Sequence, residues 1–388
     1  MFSKPKKRDS GYISAGESRR ISKENRRITQ DIEHKRNRKF VDPSEYRTSM
    51  RDENNVVEFD NLHTYFFTDI GTVKAVDGAT FDVPRGKTVG VVGESGCGKS
   101  VASLSLMQLV QRPQGQVVEG SIRFNGTDGA YDIAKTPTYA MQHIRGNQIS
   151  MIFQEPMTSL NPVFRIGMQV DEVISLHDGS LSPEAVKART IEMLEMVGIA
   201  NSQGVYRMYP HELSGGMRQR VMIAMALALS PRLIIADEPT TALDVTIQAQ
   251  ILDLLRNLKN KINSSIMLIT HDLGVIAEMA DFVVVMYSGR VVEKGTVHDV
   301  FKSPSHPYTI GLLNSIPSVR KSIKRLYSIP GHVPNPINMP DYCYFRDRCE
   351  MRVEGCAGAY PSERRLSDTH IVSCYRYEHG GKEAGAHE

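Results

Sequence analysis

Eight consecutive residues, Gly93-Glu94-Ser95-Gly96-Cys97-Gly98-Lys99-Ser100, have the composition of a phosphate cradle. They fit the pattern G-x-x-x-x-G-K-[ST]. Glycines let backbone N–H groups turn inward around phosphate oxygens, and the positive end of a following helix adds to the attraction. Lys99 is placed to neutralise the β- and γ-phosphates, and Ser100 to offer its hydroxyl to Mg²⁺. Further along, the apolar run Leu233–Ala236 ends on two acids, Asp237 and Glu238. Beside a phosphate loop, Asp237 is expected to hold Mg²⁺ through its shell. Glu238 is then the candidate general base that polarises the attacking water. Solvated strand-end carboxylates are the plainer reading of that pair, and the upstream loop argues against it. The expected ligands are ATP and Mg²⁺, and the expected reaction is hydrolysis. Cys97 occupies a variable position of the loop, as a small space-filling residue or as a thiol open to alkylation.

The flanking elements suit that chemistry. Thr88–Val92 is a β-branched apolar run that ends in the glycine loop, and Ser100–Val110 is helix-compatible. Strand, glycine loop, helix is the setting such a loop requires. Val56–Phe59 and Ala79–Val83 read as strands, with a turn at Pro84-Arg85-Gly86. Residues 183–200 and 217–229 and Ile247–Lys261 read as helices, and Ile266–Thr270 and Phe282–Met286 as strands. The alternation implies an α/β fold with a largely parallel sheet covered on both faces.

The bulk numbers limit the alternatives. A chain of 388 residues suggests two domains, or one with appendages. The net charge of +3 is uneven: residues 1–53 carry fifteen Lys/Arg against nine Asp/Glu, leaving about −3 for the rest. The basic excess therefore does not mark the body as a nucleic-acid binder. The longest apolar runs, such as Val221–Leu229, are about half the length of a membrane span. With no apolar stretch behind the basic N-terminus, a cytosolic location is expected. Residues 1–53 read as a basic, disordered tail. The lesser alternative is an interfacial helix presenting Ile21, Ile28 and Ile32 to anionic lipid. Beyond about Pro304 seven prolines break regular structure, and four of the five cysteines fall within residues 343–374.

Leu213-Ser214-Gly215-Gly216-Met217-Arg218-Gln219-Arg220 resembles the signature motif of the ATP-binding cassette (ABC) ATPases. Its serine and glycines would open a second helix N-terminus toward phosphate. In that family the motif completes the ATP site of a partner subunit, so Ser214, Gly215 and Gly216 are expected at a nucleotide held by another chain. Gln154 matches the family's Q-loop glutamine, which senses Mg²⁺ and the water. Ala242-Leu243-Asp244 matches the D-loop, and His271 the switch histidine at the γ-phosphate. The fold implied is an ABC-type nucleotide-binding domain: a RecA-like core, an antiparallel β subdomain and a helical subdomain. A small Cys-rich C-terminal domain follows. The family's adenine-stacking aromatic has no clear counterpart. Ungapped alignment puts Ile70 there, with Tyr65, Phe66 and Phe67 just upstream.

The resemblance narrows to the di/oligopeptide importer ATPases. Gln154–Pro162, Ala242–Gln250, His306-Pro307-Tyr308-Thr309 and Gly331-His332-Val333-Pro334 look like that branch, and Glu155-Pro156-Met157 looks like its D-type subunit. This implies a boundary near residue 303 between an ATPase domain (54–303) and a C-terminal domain (304–380), with a disordered end (381–388). It also implies a heterodimer with an F-type ATPase beneath two permeases, an extracytoplasmic substrate-binding protein, and a peripheral place on the cytoplasmic membrane face. Residues 155–175 would receive the permease. Nickel, glutathione or a sugar are alternative solutes. A soluble cassette acting on DNA or ribosomes is disfavoured by the single cassette and the lack of a long heptad run.

Cys343, Cys349, Cys356 and Cys374, spaced C-x5-C-x6-C-x17-C, do not form a CxxC zinc ribbon. In the dipeptide-importer branch a similar set holds a 4Fe–4S cluster. Four thiolates suit that cluster or a tetrahedral Zn²⁺, and reduced thiols without metal remain the third reading.

Overall fold

The structure is a computed structural model and describes residues 13–154, 159–241, 244–315 and 327–378. Thirteen strands are present among these residues. They are β1 (Arg47–Thr48), β2 (Asn55–Thr68), β3 (Gly71–Pro84), β4 (Thr88–Val92), β5 (Gly115–Gly126), β6 (Gly129–Asp132) and β7 (Ile149–Ile152), then β8 (Leu233–Asp237), β9 (Ser265–Ile269), β10 (Phe282–Tyr287), β11 (Arg290–Thr296), β12 (Arg364–Arg365) and β13 (Ile371–Val372). One antiparallel sheet runs β1-β6-β5-β2-β3. The larger sheet runs β12-β13-β11-β10-β4-β9-β8-β7, and its centre from β10 to β7 is parallel.

The central strands are short, apolar and buried on both faces, so successive residues feed two cores. From β8, Leu233 and Ile235 enter one core while Ile234 and Ala236 enter the other; β9 repeats this with Met267 and Ile269 against Ile266 and Leu268. The first core lies under the antiparallel sheet and the helix Lys99–Leu106. The second lies under the helices Ile166–His177, Pro183–Met196, Ser202–Arg207 and Gly215–Leu227 and the helix Val245–Ile262. The expected strands and helices are thus present.

Two expectations about the ends are corrected. Residues 15–36, expected within a disordered tail, form a helix, Ala15–Arg36, capped by Ser14 and packed on β2 and β5. Its inner face is polar: Asn25 and Thr29 are buried, and Asn25 Nδ2 donates to Thr68 O at 2.7 Å. Short hydrogen-bonding side chains let this helix dock without an apolar stripe. Of the three isoleucines proposed as a lipid face, Ile21 and Ile32 are half-buried and Ile28 is exposed. Residues 1–12 and 379–388 lie outside the described residues.

Among the described residues, the C-terminal segment packs into the main core. Tyr308, Met339, Tyr344 and Phe345 belong to the same buried cluster as the central sheet. β13 extends that sheet by pairing with β11. The boundary expected near residue 303 therefore crosses a continuous core.

Candidate active site

β4 delivers the chain to Gly93 fully buried, and the helix Lys99–Leu106 carries it away. Gly98 has φ +97°, and a Cβ there would lie 2.2 Å from Ala75 O, so only glycine lets the loop pass β3. Lys99 Nζ donates to Gly93 O at 2.8 Å and Glu94 O at 3.1 Å, which arches the loop over its own ammonium group. Cys97 is buried, and burial pushes its thiol up despite the Lys99 charge. Of the two readings of Cys97, burial favours the small space-filling residue over the reactive thiol.

Ser100 Oγ donates to Asp237 Oδ1 at 3.1 Å. Burial raises the Asp237 carboxyl above its ordinary range, and the neighbouring Glu238 charge adds to this; the Ser100 hydrogen bond opposes it. A hydroxyl and a desolvated carboxylate at the end of the phosphate loop fit Mg²⁺, a hard cation that takes oxygen ligands.

Glu238 is the meeting point of the site. Its Oε2 accepts from Gln154 Nε2 and from Thr241 Oγ1, each at 2.9 Å, and its Oε1 lies 3.1 Å from His271 Nδ1. The residue adopts φ +47°. This left-handed conformation costs a non-glycine residue roughly 1–3 kcal/mol. Its N–H donates to Ile269 O at 2.8 Å, which ties the turn to β9. Burial would raise the Glu238 carboxyl, yet hydrogen bonds from His271 and Thr241 and the charges of His271 and Lys99 hold it below its usual range. The group is thus an ionised, half-buried carboxylate, in the protonation state that a base must have.

Ser214 caps the helix Gly215–Leu227, its Oγ accepting from Met217 N at 3.3 Å. A Cβ on Gly215 would meet open space, so this helix N-terminus is presented outward. Gln219, buried on the same helix, donates to Pro239 O at 2.6 Å and links the signature helix to the turn after Glu238. Asp244 caps the helix Val245–Ile262; Ala242, Leu243 and residues 155–158 lie outside the described residues.

Of the four candidates for adenine stacking, Tyr65 is engaged through a 2.6 Å hydrogen bond to Asp77 Oδ1, and Phe67 is buried. Phe66 packs toward Gly115, while Ile70 stands exposed at the β2–β3 turn. None is set apart as a stacking platform.

The chain matches the model "ABC transporter" over residues 76–241 and the model "Oligopeptide/dipeptide transporter, C-terminal region" over residues 292–356. It is 50% identical over 328 residues to the oligopeptide transport ATP-binding protein AppD of Bacillus subtilis, covering 84% of this chain and 98% of that protein. The chain belongs to the ABC transporter ATP-binding proteins. It is an ABC-type ATPase. The dipeptide transport ATP-binding protein DppD of Bacillus subtilis is 46% identical, with 82% of this chain and 94% of that protein covered. Among solved structures, the dimeric ABC transporter cassette MJ0796 superposes with a TM-score of 0.55 at 26% identity, covering 62% of this chain and 98% of that one.

Gly93–Ser100, Asp237, Glu238, Gln154 and His271 were singled out in the sequence, and the fold brings Gln154, Glu238 and His271 together. Gln219, Tyr308 and Arg348 were not singled out, because their contacts join separate segments, and neither was Thr241, which reaches back only three residues to Glu238 but falls in none of the motifs. Tyr308 Oη accepts from Glu94 N at 2.8 Å, and Arg348 pairs with the Glu94 carboxylate at 2.7 and 3.0 Å.

The four C-terminal cysteines are neighbours. Burial pushes the Cys343 thiol up to about 12, with Cys356, Cys374 and Cys349 adding to it, and burial pushes Cys374 up to about 11. They do not form the ligand set that sequence reading expected: among the described residues, no group of three or more His, Cys, Asp or Glu is placed to hold a metal ion. Donor type and number fit a cluster or Zn²⁺; ligand geometry does not.

Proposed function

We propose that this ATPase drives a membrane importer of di- or oligopeptides. It would act as the D-type partner of an F-type ATPase beneath two permeases fed by an extracytoplasmic binding protein. The observation that carries the reading is the convergence of Gln154 and His271 on the Glu238 carboxylate at the mouth of a phosphate loop. The chain's match to the peptide-transporter C-terminal region supports the solute class. The outward-facing Ser214–Gly216 supports a dimer in which this N-terminus meets a nucleotide held by the other subunit.

In this reading Lys99 and the loop amides, with Gly93, Glu94, Ser95, Gly96, Cys97 and Gly98 shaping the cradle, hold the polyphosphate. Ser100, Asp237 and Gln154 would hold Mg²⁺, which neutralises phosphate charge when bound. Glu238 takes the proton of the attacking water, and His271 holds that carboxylate in place. A groove of about 230 Å³ lined by Met107, Met151, Phe153, Met222 and Met225 is the docking place for a permease. Methionines suit such a surface because they repack around a partner. No helix among the described residues is long and apolar enough to cross a membrane. We place the chain on the cytoplasmic membrane face through its permeases.

The test is affinity purification of the tagged chain from membranes, followed by labelled-peptide uptake in proteoliposomes of the recovered complex. A second ATPase and two permeases should co-purify, and uptake should need ATP and intact Glu238. Recovery with ribosomes or DNA, or uptake of nickel, glutathione or sugar in place of peptide, would overturn the assignment.

We propose that Cys343, Cys349, Cys356 and Cys374 would close into a ligand set only on binding a 4Fe–4S cluster, or alternatively Zn²⁺, because they do not form one in this structure. The support is four neighbouring thiols whose burial makes the thiolate costly without a cation. Anaerobic purification with iron, sulfide and zinc assays decides between them; a colourless, metal-free chain removes both.

A further inference from the structure

The phosphate loop is held by residues from the C-terminal segment, more than 200 positions further along the chain. Arg348, only 9% exposed, reaches the loop with both terminal nitrogens. Nη1 and Nη2 grip the two Glu94 carboxylate oxygens at 2.7 and 3.0 Å, Nε donates to Pro330 O at 2.9 Å, and Nη1 also reaches Tyr287 Oη at 3.3 Å. Tyr308, fully buried in the helix Pro307–Asn314, accepts from the Glu94 N–H. One residue of the loop is therefore fixed at both its backbone and its side chain by the C-terminal segment.

The chemistry of Glu94 explains the need. A carboxylate in the second position of a phosphate loop stands beside a polyphosphate of the same sign. Repulsion at such range is large unless a cation neutralises it. A bidentate arginine fork does this and also fixes the carboxylate's direction. We propose that Arg348 and Tyr308 are positioning residues for ATP, which makes the C-terminal segment a working part of the nucleotide site. This rests on the reading of Gly93–Ser100 as the phosphate loop.

The experiment is a fluorescence titration of the full-length chain with a mant-labelled ATP and Mg²⁺. Wild type should bind and Lys99→Ala should not; equal binding by both would overturn the phosphate-loop reading and this inference with it. With that control met, Arg348→Gln should raise the dissociation constant about tenfold. Adding Glu94→Gln to Arg348→Gln should restore binding, because the repelling charge is gone. A purely structural arginine predicts no rescue, so a double variant as weak as Arg348→Gln, or an Arg348→Gln that binds like wild type, overturns the proposal. Should Arg348→Gln not fold, Tyr308→Phe decides. It removes the acceptor for the Glu94 N–H and should weaken binding about threefold; unchanged binding overturns the proposal.

Discussion

His271 Nδ1 stands 3.1 Å from Glu238 Oε1, across a gap of 33 residues in the chain. β8 and β9 lie side by side in parallel, and Glu238 and His271 follow their ends by one and two residues. The opposite carboxylate oxygen is held by Gln154 and Thr241, so the group cannot rotate away from the water it is to polarise. Glu238→Gln keeps the shape and removes the base. Its hydrolysis rate should fall about 100-fold or more. The affinity for ATP should stay near wild type, since the phosphates are held by the loop. Steady-state hydrolysis with a parallel nucleotide titration measures both, and wild-type turnover in this variant would show the base to be elsewhere.

The same contacts set a pH dependence. Burial raises the Glu238 carboxyl, but the His271 and Thr241 hydrogen bonds and the nearby positive charges outweigh it and hold it below the ordinary range. A base with a lowered pKa stays ionised to lower pH, and activity is lost only as pH falls through that lowered value. The acid limb of the rate profile should therefore lie below the usual glutamate value of about 4.3. His271→Ala removes the largest opposing interaction and should shift the limb upward. Profiles of kcat for the two proteins, taken where both stay folded, decide this; coincident acid limbs would rule it out.

Much of this site was legible because its parts are local. Gly93 to Ser100 is one unbroken run, and Leu233–Ala236 leads directly into Asp237 and Glu238. His271 and Gln154 were legible only through resemblance, since a histidine after a strand says nothing by itself about a carboxylate 33 residues away. The Arg348–Glu94 pair spans 254 residues and left no local mark. The helix Ala15–Arg36 was legible only as a lesser alternative with an isoleucine face, because hydropathy cannot distinguish an inner face made of Asn25 and Thr29 from a solvated one. The prolines after Pro304 suggested a separate domain, whereas Tyr308, Tyr344 and Phe345 are aromatics that enter the main core. Proline content reports on regular structure and not on where a segment packs.

Cys97, like Cys343 and Cys374 of the C-terminal segment, is a thiol that burial keeps from ionising. It is 1% exposed, and burial raises its thiol. The thiolate is the reactive form, so alkylation should be slow. N-ethylmaleimide on the native chain, read by peptide mass spectrometry, should leave Cys97 unmodified while the protein is folded. In denaturant it should label fully. Rapid native labelling of Cys97 would mean that the loop opens far more readily than its packing against Met286 O and Ala75 O implies.

His306 carries the last prediction. Its ring is buried, and its Nδ1 accepts from Tyr308 N at 3.0 Å, which caps the helix that presents Tyr308 to the phosphate loop. Burial pushes the imidazole down to about 4, with the Glu293 charge opposing in part. Unfolded, the group titrates near 6.5. Between those values the unfolded chain binds a proton that the folded chain refuses, so stability is complete above about 6.5 and falls as pH drops toward 4. The loss from this residue is on the order of 3 kcal/mol at the bottom of that window. His306→Asn keeps a helix-capping acceptor and cannot titrate. Urea unfolding at a series of pH values should show wild-type stability dropping more steeply than that of His306→Asn between pH 6.5 and 4. Parallel curves would mean that the His306 ring takes up its proton in the fold as readily as in the unfolded chain.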